Sequence, residues 1–270
     1  MYQVLALDLD DTLLCSDGGI DAATLRLLTQ WRATGRQIVI ATGRPPRSVG
    51  AALPPLLQDV PWICYNGAVV RREGRTIFAD LMEPADVLEL VEWGCRELPD
   101  WRVGLEIDDV LYLNQRLTIA KEYVYQPDLH AVAHQPAAKV LYSNGALNAD
   151  AGHGDAYAMF AALDPLLARL PGRTRPMLSY RYRLAQFMSN TADKAVALAH
   201  VVAEWGYTMD QVAAFGDDVN DVDMLLACGL GVAMANAVEE VHAAADHVTT
   251  SNNEGGVAKV LADLLAAAHA

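Results

Sequence analysis

Four short polar stretches interrupt apolar runs in this chain, and their residue types suit one kind of chemistry, the transfer of a phosphoryl group. Asp8-Leu9-Asp10-Asp11-Thr12 follows the run from Tyr2 to Leu7, and Thr42-Gly43-Arg44 follows Gln37 to Ala41. Gly216-Asp217-Asp218-Val219-Asn220-Asp221 follows Gln211 to Phe215, and Lys194 stands early in a helical stretch. A carboxylate can attack phosphorus only where something offsets the repulsion between two anions, and a divalent cation bridging both is the direct means. Asp8 and Asp217 suit Mg²⁺, which takes hard oxygen ligands and keeps several of its waters. Asp10, two residues beyond Asp8, can serve as acid to the leaving oxygen and then as base to the attacking water. Thr42 offers a hydroxyl, Gly43 an unobstructed backbone N–H and Lys194 a compact positive charge to the phosphoryl oxygens. Asn220 and Asp221 would orient the metal's water shell or Lys194 itself. Each stretch alone also has a bland reading: a chance Asp-x-Asp, a turn at Thr-Gly-Arg, a solvated lysine. Their joint occurrence after successive strands favours the chemical one. Arg44 and Arg47 suit the mouth of the site and the surface equally.

The elements that must position these residues can be read from the pattern around them. Tyr2 to Leu9 has the near-continuous apolar character of a strand buried on both faces. Asp21 then reads as a helix N-cap, with Leu25, Leu28 and Trp31 on one face and Gly35 as the stop. Strands at Gln37 to Ala41 and Val60 to Tyr65 flank a helix opened by Pro45-Pro46, and Asn66-Gly67 marks a turn. Short connections between alternating strands and helices indicate a doubly wound, Rossmann-like parallel α/β sheet. After Glu83-Pro84 the pattern becomes α+β: a helix to Leu98, a hairpin about Asp108-Asp109, a helical stretch near Leu117 to Tyr125, a strand at Lys139 to Ser143, a helix from Asp155 to Leu170 and a strand pair around Met177 to Met188. Past Thr191 the first pattern resumes, with helices at Ala192 to Trp205, Asp221 to Ala227 and Val257 to Ala267, and strands at Gln211 to Phe215 and Leu230 to Met234. The expectation is a core of residues 1–82 and 188–270 interrupted by an inserted unit of residues 83–187.

Composition narrows the partners. With 34 acidic against 20 basic side chains, the chain lacks the basic balance with which nucleic-acid binding begins. No apolar run reaches the ~18 residues needed to span a bilayer, so no membrane partner is expected. Cys15, Cys64, Cys95 and Cys228 show neither paired nor metal-ligand spacing, and reduced thiols in a cytoplasmic protein are the expected state. The run of Arg169, Arg173, Arg175, Arg181 and Arg183 reads as a solvated face, or as a source of one or two contacts to the non-reacting part of a substrate.

In their order and spacing these stretches resemble the four motifs of the haloacid dehalogenase superfamily, and specifically its Cof-type phosphatases, which carry an α/β cap between the second and third motifs. Tyr65-Asn66-Gly67-Ala68, Gly231-Val232-Ala233-Met234-Ala235-Asn236-Ala237 and Ser251-Asn252-Asn253-Glu254-Gly255-Gly256-Val257 extend the resemblance over nearly the whole chain. It implies a Mg²⁺-dependent phosphatase acting on a small phosphorylated metabolite, a sugar phosphate or phosphorylated cofactor. Asp8 would be the nucleophile and Asp10 the general acid/base. Leu9, Thr42, Gly43, Lys194 and Asn220 would hold the phosphate, and Asp8, Asp217 and the backbone carbonyl of Asp10 would hold the metal, with Asp221 behind them. A phosphotransferase or phosphomutase would use a similar aspartyl-phosphate, and a non-catalytic binding protein would be expected to have lost Asp8 or Asp10. The chain departs from the family pattern at Asp11 and Ala195, where glycine is usual. The carboxylate at position 11 is expected to point away from the anion site.

Overall fold

The computed structural model describes residues 1–117, 122–144, 160–170, 172–179 and 183–267. Strand β1 (Val4–Asp8) is buried at every position, as its unbroken apolar run requires for a strand covered on both faces. Helix α1 (Ala22–Ala33) begins at Asp21, whose Oδ1 accepts from the N–H groups of Ala23 and Thr24 at 2.9 Å each. It stops before Gly35, which takes the left-handed φ of +82° that a residue bearing a Cβ adopts at a cost. There follow β2 (Gln37–Ala41), α2 (Pro46–Ala52) and β3 (Trp62–Cys64). A hairpin of β4 (Val69–Arg72) and β5 (Arg75–Ala79) then adds two antiparallel strands to the edge of the sheet. The alternating pattern of the first half had not anticipated this hairpin. Its signal was Glu73-Gly74, a two-residue loop with φ of +50° and +75°, which suits a tight hairpin turn.

The α+β stretch comprises α3 (Pro84–Glu97), β6 (Arg102–Ile107), β7 (Val110–Leu113), β8 (Val124–Tyr125), β9 (Lys139–Ser143), the short α4 (Asp164–Leu167), β10 (Thr174–Ser179) and β11 (Leu184–Ser189). Its strands form one sheet in the order β10-β11-β9-β6-β7-β8, antiparallel except between β7 and β8. Val87, Leu90 and Val91 of α3 pack on Val103, Leu105, Val140 and Phe187 to make its core. Two expectations need correction here. Of the helical stretch expected near Leu117 to Tyr125, residues 118–121 lie outside those described, and Val124–Tyr125 is a strand pairing with Tyr112 and Leu113. Of the helix expected from 155 to 170, residues 155–159 lie outside those described; residues 160–161 are helical, and after a turn the short α4 covers Asp164–Leu167. Arg181 also lies outside the described residues.

The first pattern returns with α5 (Lys194–Glu204), β12 (Val212–Gly216), α6 (Val222–Ala227), β13 (Leu230–Ala233), α7 (Glu239–Ala244), β14 (His247–Val248) and α8 (Gly256–Ala266). The main sheet runs β14-β13-β12-β1-β2-β3-β4-β5, parallel from β14 to β3, so β1 lies between strands from both ends of the sequence. The protein is thus a doubly wound parallel α/β fold with an inserted α+β unit. Its two compact units are Met1–Ala79 with Asp193–Ala270, and Asp80–Ala192. The insert extends slightly beyond the 83–187 read from the sequence, because Met82 already pairs with Ala137 and β11 runs on to Ser189. Among the described residues, no helix is long and apolar enough to cross a membrane.

Candidate active site

In an open parallel sheet the carboxyl ends of the strands face a crevice where ligands bind, and there the polar stretches meet. Asp8 is the last residue of β1 and is 5% exposed. Lys194, the first residue of α5, is 1% exposed and donates from Nζ to Asp8 Oδ1 and to Asp221 Oδ1, both at 2.6 Å. Two packing features fix this lysine. The Asp193 side chain caps α5 by accepting from the Ala195 N–H at 2.7 Å. Gly67, at φ of +103°, lets the turn after β3 lie against the Asp193 backbone, where a Cβ would come within 2.2 Å of its carbonyl.

Asp221 spends both oxygens. Besides Lys194 on Oδ1, its Oδ2 accepts from the N–H groups of Asp217 and Asp218 at 3.1 and 3.2 Å. Only glycine fits at position 216, because a Cβ there would sit 2.4 Å from the Cβ of Asp221. Asp217 accepts the Thr12 hydroxyl on Oδ1 at 2.7 Å, a bond that links the loops after β1 and β12. Thr42, 1% exposed, accepts the Arg44 N–H on Oγ1 at 3.1 Å, which leaves its hydroxyl proton to donate. A Cβ on Gly43 would lie 2.8 Å from Asn66 Oδ1, and that oxygen accepts from Asn220 Nδ2 at 2.9 Å. The loops carrying Thr42, Asn66 and Asn220 are therefore drawn together. Leu9 is fully buried in the turn after Asp8, where its carbonyl accepts the Leu14 N–H at 2.8 Å.

Asp10 stands apart from this cluster. Its side chain is 51% exposed, and its two oxygens accept from Nε and Nη2 of Arg44. The carboxylates whose oxygens lie within 4.8 Å of one another are, among the described residues, Asp8, Asp217 and Asp221; the Asp10 carboxylate is not one of them. The resemblance assigned the Asp10 backbone carbonyl, not its carboxylate, to a metal. Asp11 takes the left-handed φ of +56° that the usual glycine would adopt without strain, and its carbonyl accepts from Asn236 Nδ2 at 2.8 Å. Its charge still reaches the site, because it helps raise the pKa of Asp217. The sequence reading had not picked out Thr12 and Asn66 individually or paired Arg44 with Asp10. Thr12 and Asn66 lie inside stretches already marked, but the partners of all three are distant in sequence.

Three carboxylates share a single ammonium here, and the titration of Asp8 and Asp217 reflects the shortage. Burial, with the Asp221 charge beside it, holds the Asp8 carboxyl well above the usual carboxylate range, against the pull of Lys194. Burial pushes Asp217 up to about 7 despite the Thr12 hydrogen bond. Burial alone would discharge Lys194, but Asp221 and Asp8 outweigh it and keep the lysine protonated. Asp8 and Asp217 each keep one oxygen to which no described residue donates. This excess of negative charge on hard oxygen donors fits a divalent cation such as Mg²⁺.

A parallel sheet with carboxylates at its carboxyl edge and an inserted α+β unit is the architecture of one class of α/β hydrolases. The crystal structure of TM0651 from Thermotoga maritima has the same fold, with a TM-score of 0.83, 26% identity and coverage of 97% of both chains. The chain belongs to the haloacid dehalogenase-like hydrolases, whose family model matches residues 5–261. Several of its curated relatives are named as phosphatases. The 5-amino-6-(5-phospho-D-ribitylamino)uracil phosphatase YitU of Bacillus subtilis is 26% identical, with 96% of each chain covered. The pyridoxal phosphate phosphatase YbhA of Escherichia coli is 27% identical, with 96% of this chain and 97% of its own covered. The protein is accordingly a hydrolase of the phosphatase kind.

Proposed function

We propose that the protein hydrolyses a small phosphorylated metabolite with Mg²⁺, passing the phosphoryl group through Asp8. The observation that carries this reading is the state of Asp8, buried at the end of β1 with Oδ1 fixed by Lys194 at 2.6 Å and Oδ2 without a donor among the described residues. Asp8 and Asp217, with the carbonyl of Asp10, would hold the cation, which when bound supplies positive charge that brings nucleophile and phosphoryl group together. Asp8 Oδ2 attacks phosphorus and the bond to the leaving oxygen breaks, while the Asp10 carboxyl, turned away from Arg44, gives that oxygen its proton. A water then attacks the same phosphorus, Asp10 takes its proton, and Asp8 is released with inorganic phosphate. Lys194, the Thr42 hydroxyl, Asn220 and the backbone N–H groups of Leu9 and Gly43 bind the phosphoryl oxygens and hold them in line. Asp221 keeps Lys194 in place. The unit of Met1–Ala79 and Asp193–Ala270 is the catalytic one, and Asp80–Ala192 supplies the specificity for the rest of the substrate. A sugar phosphate or a phosphorylated cofactor is the substrate class; the names of YitU and YbhA point the same way.

Acid-quench trapping of the phosphoenzyme tests the assignment. Asp8→Asn should form no acid-stable phosphoenzyme and show no turnover. Asp10→Asn should still be labelled, with turnover lowered ~10²–10⁴-fold for an alkyl phosphate and less for an activated aryl phosphate. Label on Asp8→Asn but never on Asp10→Asn would mean that the two roles are reversed.

A further inference from the structure

At the amino end of the same sheet, within the unit of Met1–Ala79 and Asp193–Ala270, lies a cavity of about 280 Å³ lined by Arg32, Arg36 and Arg72 together with Trp205, Asp59 and Glu73. The three guanidiniums differ in how far they are neutralised. Arg32 is satisfied, forming a two-pronged pair with Asp59 at 2.9 and 2.7 Å and donating to the Leu56 carbonyl. Arg72 has only Glu204 at 3.8 Å, and both side chains are more than a third exposed, so that pair is loose. Arg36 is 8% exposed, yet its contacts are a thioether, Met1 Sδ at 3.4 Å, and the face of Trp31 at 4.6 Å. A thioether is a weak acceptor and an indole face is neutral, so among the described residues this largely covered guanidinium has no carboxylate within 4 Å.

Largely covered charges are normally paired, and this guanidinium, whose remaining donors have no described partner, lines a cavity large enough for a tetrahedral oxyanion. We propose that this cavity is a second, non-catalytic anion site, taking inorganic phosphate or another small phosphoryl dianion between Arg36 and Arg72, with Trp205 as an apolar wall. Guanidinium is the side chain best matched to such an ion, because its fork of donors meets two oxygens at once. The site would lie about 16 Å from Thr42, the span of the five residues of β2, and would be independent of any metal at the carboxyl edge. In a phosphatase it would let the released product, or a phosphorylated relative of the substrate, bind without blocking the catalytic crevice.

The test is calorimetric titration of the full chain with inorganic phosphate in EDTA, where the unneutralised carboxylates repel phosphate from the catalytic crevice. Arg36→Met, which keeps an apolar stem over Trp31, and the more exposed Arg72→Gln should each weaken binding about tenfold or more, the usual worth of a charge-assisted hydrogen bond. Thr42→Val should leave binding as in the wild type. Near-ultraviolet circular dichroism shows whether each variant is folded. Unchanged affinity in both arginine variants would overturn the proposal and leave the arginines the lesser task of offsetting the negative ends of α1 and α5. Loss of binding in Thr42→Val would overturn it as well, by placing the phosphate at the carboxyl edge.

Discussion

The two ends of the parallel sheet leave charges of opposite sign without close partners. At the carboxyl edge Asp8, Asp217 and Asp221 gather around Lys194, and the anions outnumber the cation. At the amino edge Asp59 takes Arg32, while Arg36 and Arg72 have no carboxylate closer than 3.8 Å among the described residues, so two cations lack a close partner. The same strands connect both ends, and the chain as a whole carries a formal charge of −14. Net charge therefore says little about either place. A structural salt bridge is balanced within the protein, whereas an imbalance held in a low-dielectric setting needs an outside ion to complete it.

That contrast can be broken most severely at Lys194. Lys194→Met leaves Asp8 and Asp221 buried without their cation, and breaking a buried pair in this way costs about 3–5 kcal/mol. Urea unfolding at pH 8 should show a loss of that size. A loss below about 1 kcal/mol would mean that the carboxylates relax to water and the edge is not charge-strained.

A smaller effect should follow pH in the metal-free protein. Asp217 titrates near the usual 3.8 when unfolded and at about 7 when folded, and Asp8 is shifted in the same direction. Between those values the folded state binds more protons than the unfolded one, so stability falls as pH rises through the window and is lowest above it. In EDTA the protein should be more stable at pH 5 than at pH 8, by on the order of a few kcal/mol. Saturating Mg²⁺ should remove most of the loss at pH 8. A melting temperature that rises from pH 5 to pH 8 in EDTA would contradict the sign.

The smallest expected change is at Asp11. Asp11→Gly relieves a left-handed φ and removes a carboxylate that raises the pKa of Asp217, at the cost of a more flexible unfolded chain. A gain between zero and about 1 kcal/mol is expected from urea melts at pH 7. A loss larger than that would show that the Asp11 side chain makes a contact worth more than the strain.

What the sequence could reveal was set by the distance over which each signal acts. The burial of β1, the Asp21 cap of α1 and the hairpin at Asp108-Asp109, with φ of +50° and +63°, are written in neighbouring residues and were read correctly. The resemblance marked the stretches around the site because their order along the chain is itself a signal. Hidden from such reading were interactions that depend on side-chain direction after folding. Nothing in Asp8-Leu9-Asp10 tells that the first carboxylate turns inward to Lys194 and the third residue turns outward to Arg44. The β4–β5 hairpin was missed for another reason: its strands are short and partly exposed, so neither shows a clean alternation. Helix α7 and strand β14, at six and two residues, are too brief for any period to show.

The position of Lys194 has a consequence for the order in which the molecule is made. It lies two residues after the end of the insert and 186 residues after Asp8. At ~5–20 residues per second, a ribosome delivers Lys194 roughly 10 to 40 s after Asp8. Until then β1 has β2 on one side, but its other edge has not yet received β12. An apolar strand with an open edge is a template for wrong pairing. The whole inserted unit can fold during the wait, since its sheet draws only on its own residues. The nascent chain would thus hold a finished second unit while the main sheet is still half built, and its exposed β1 edge is where a chaperone would be needed.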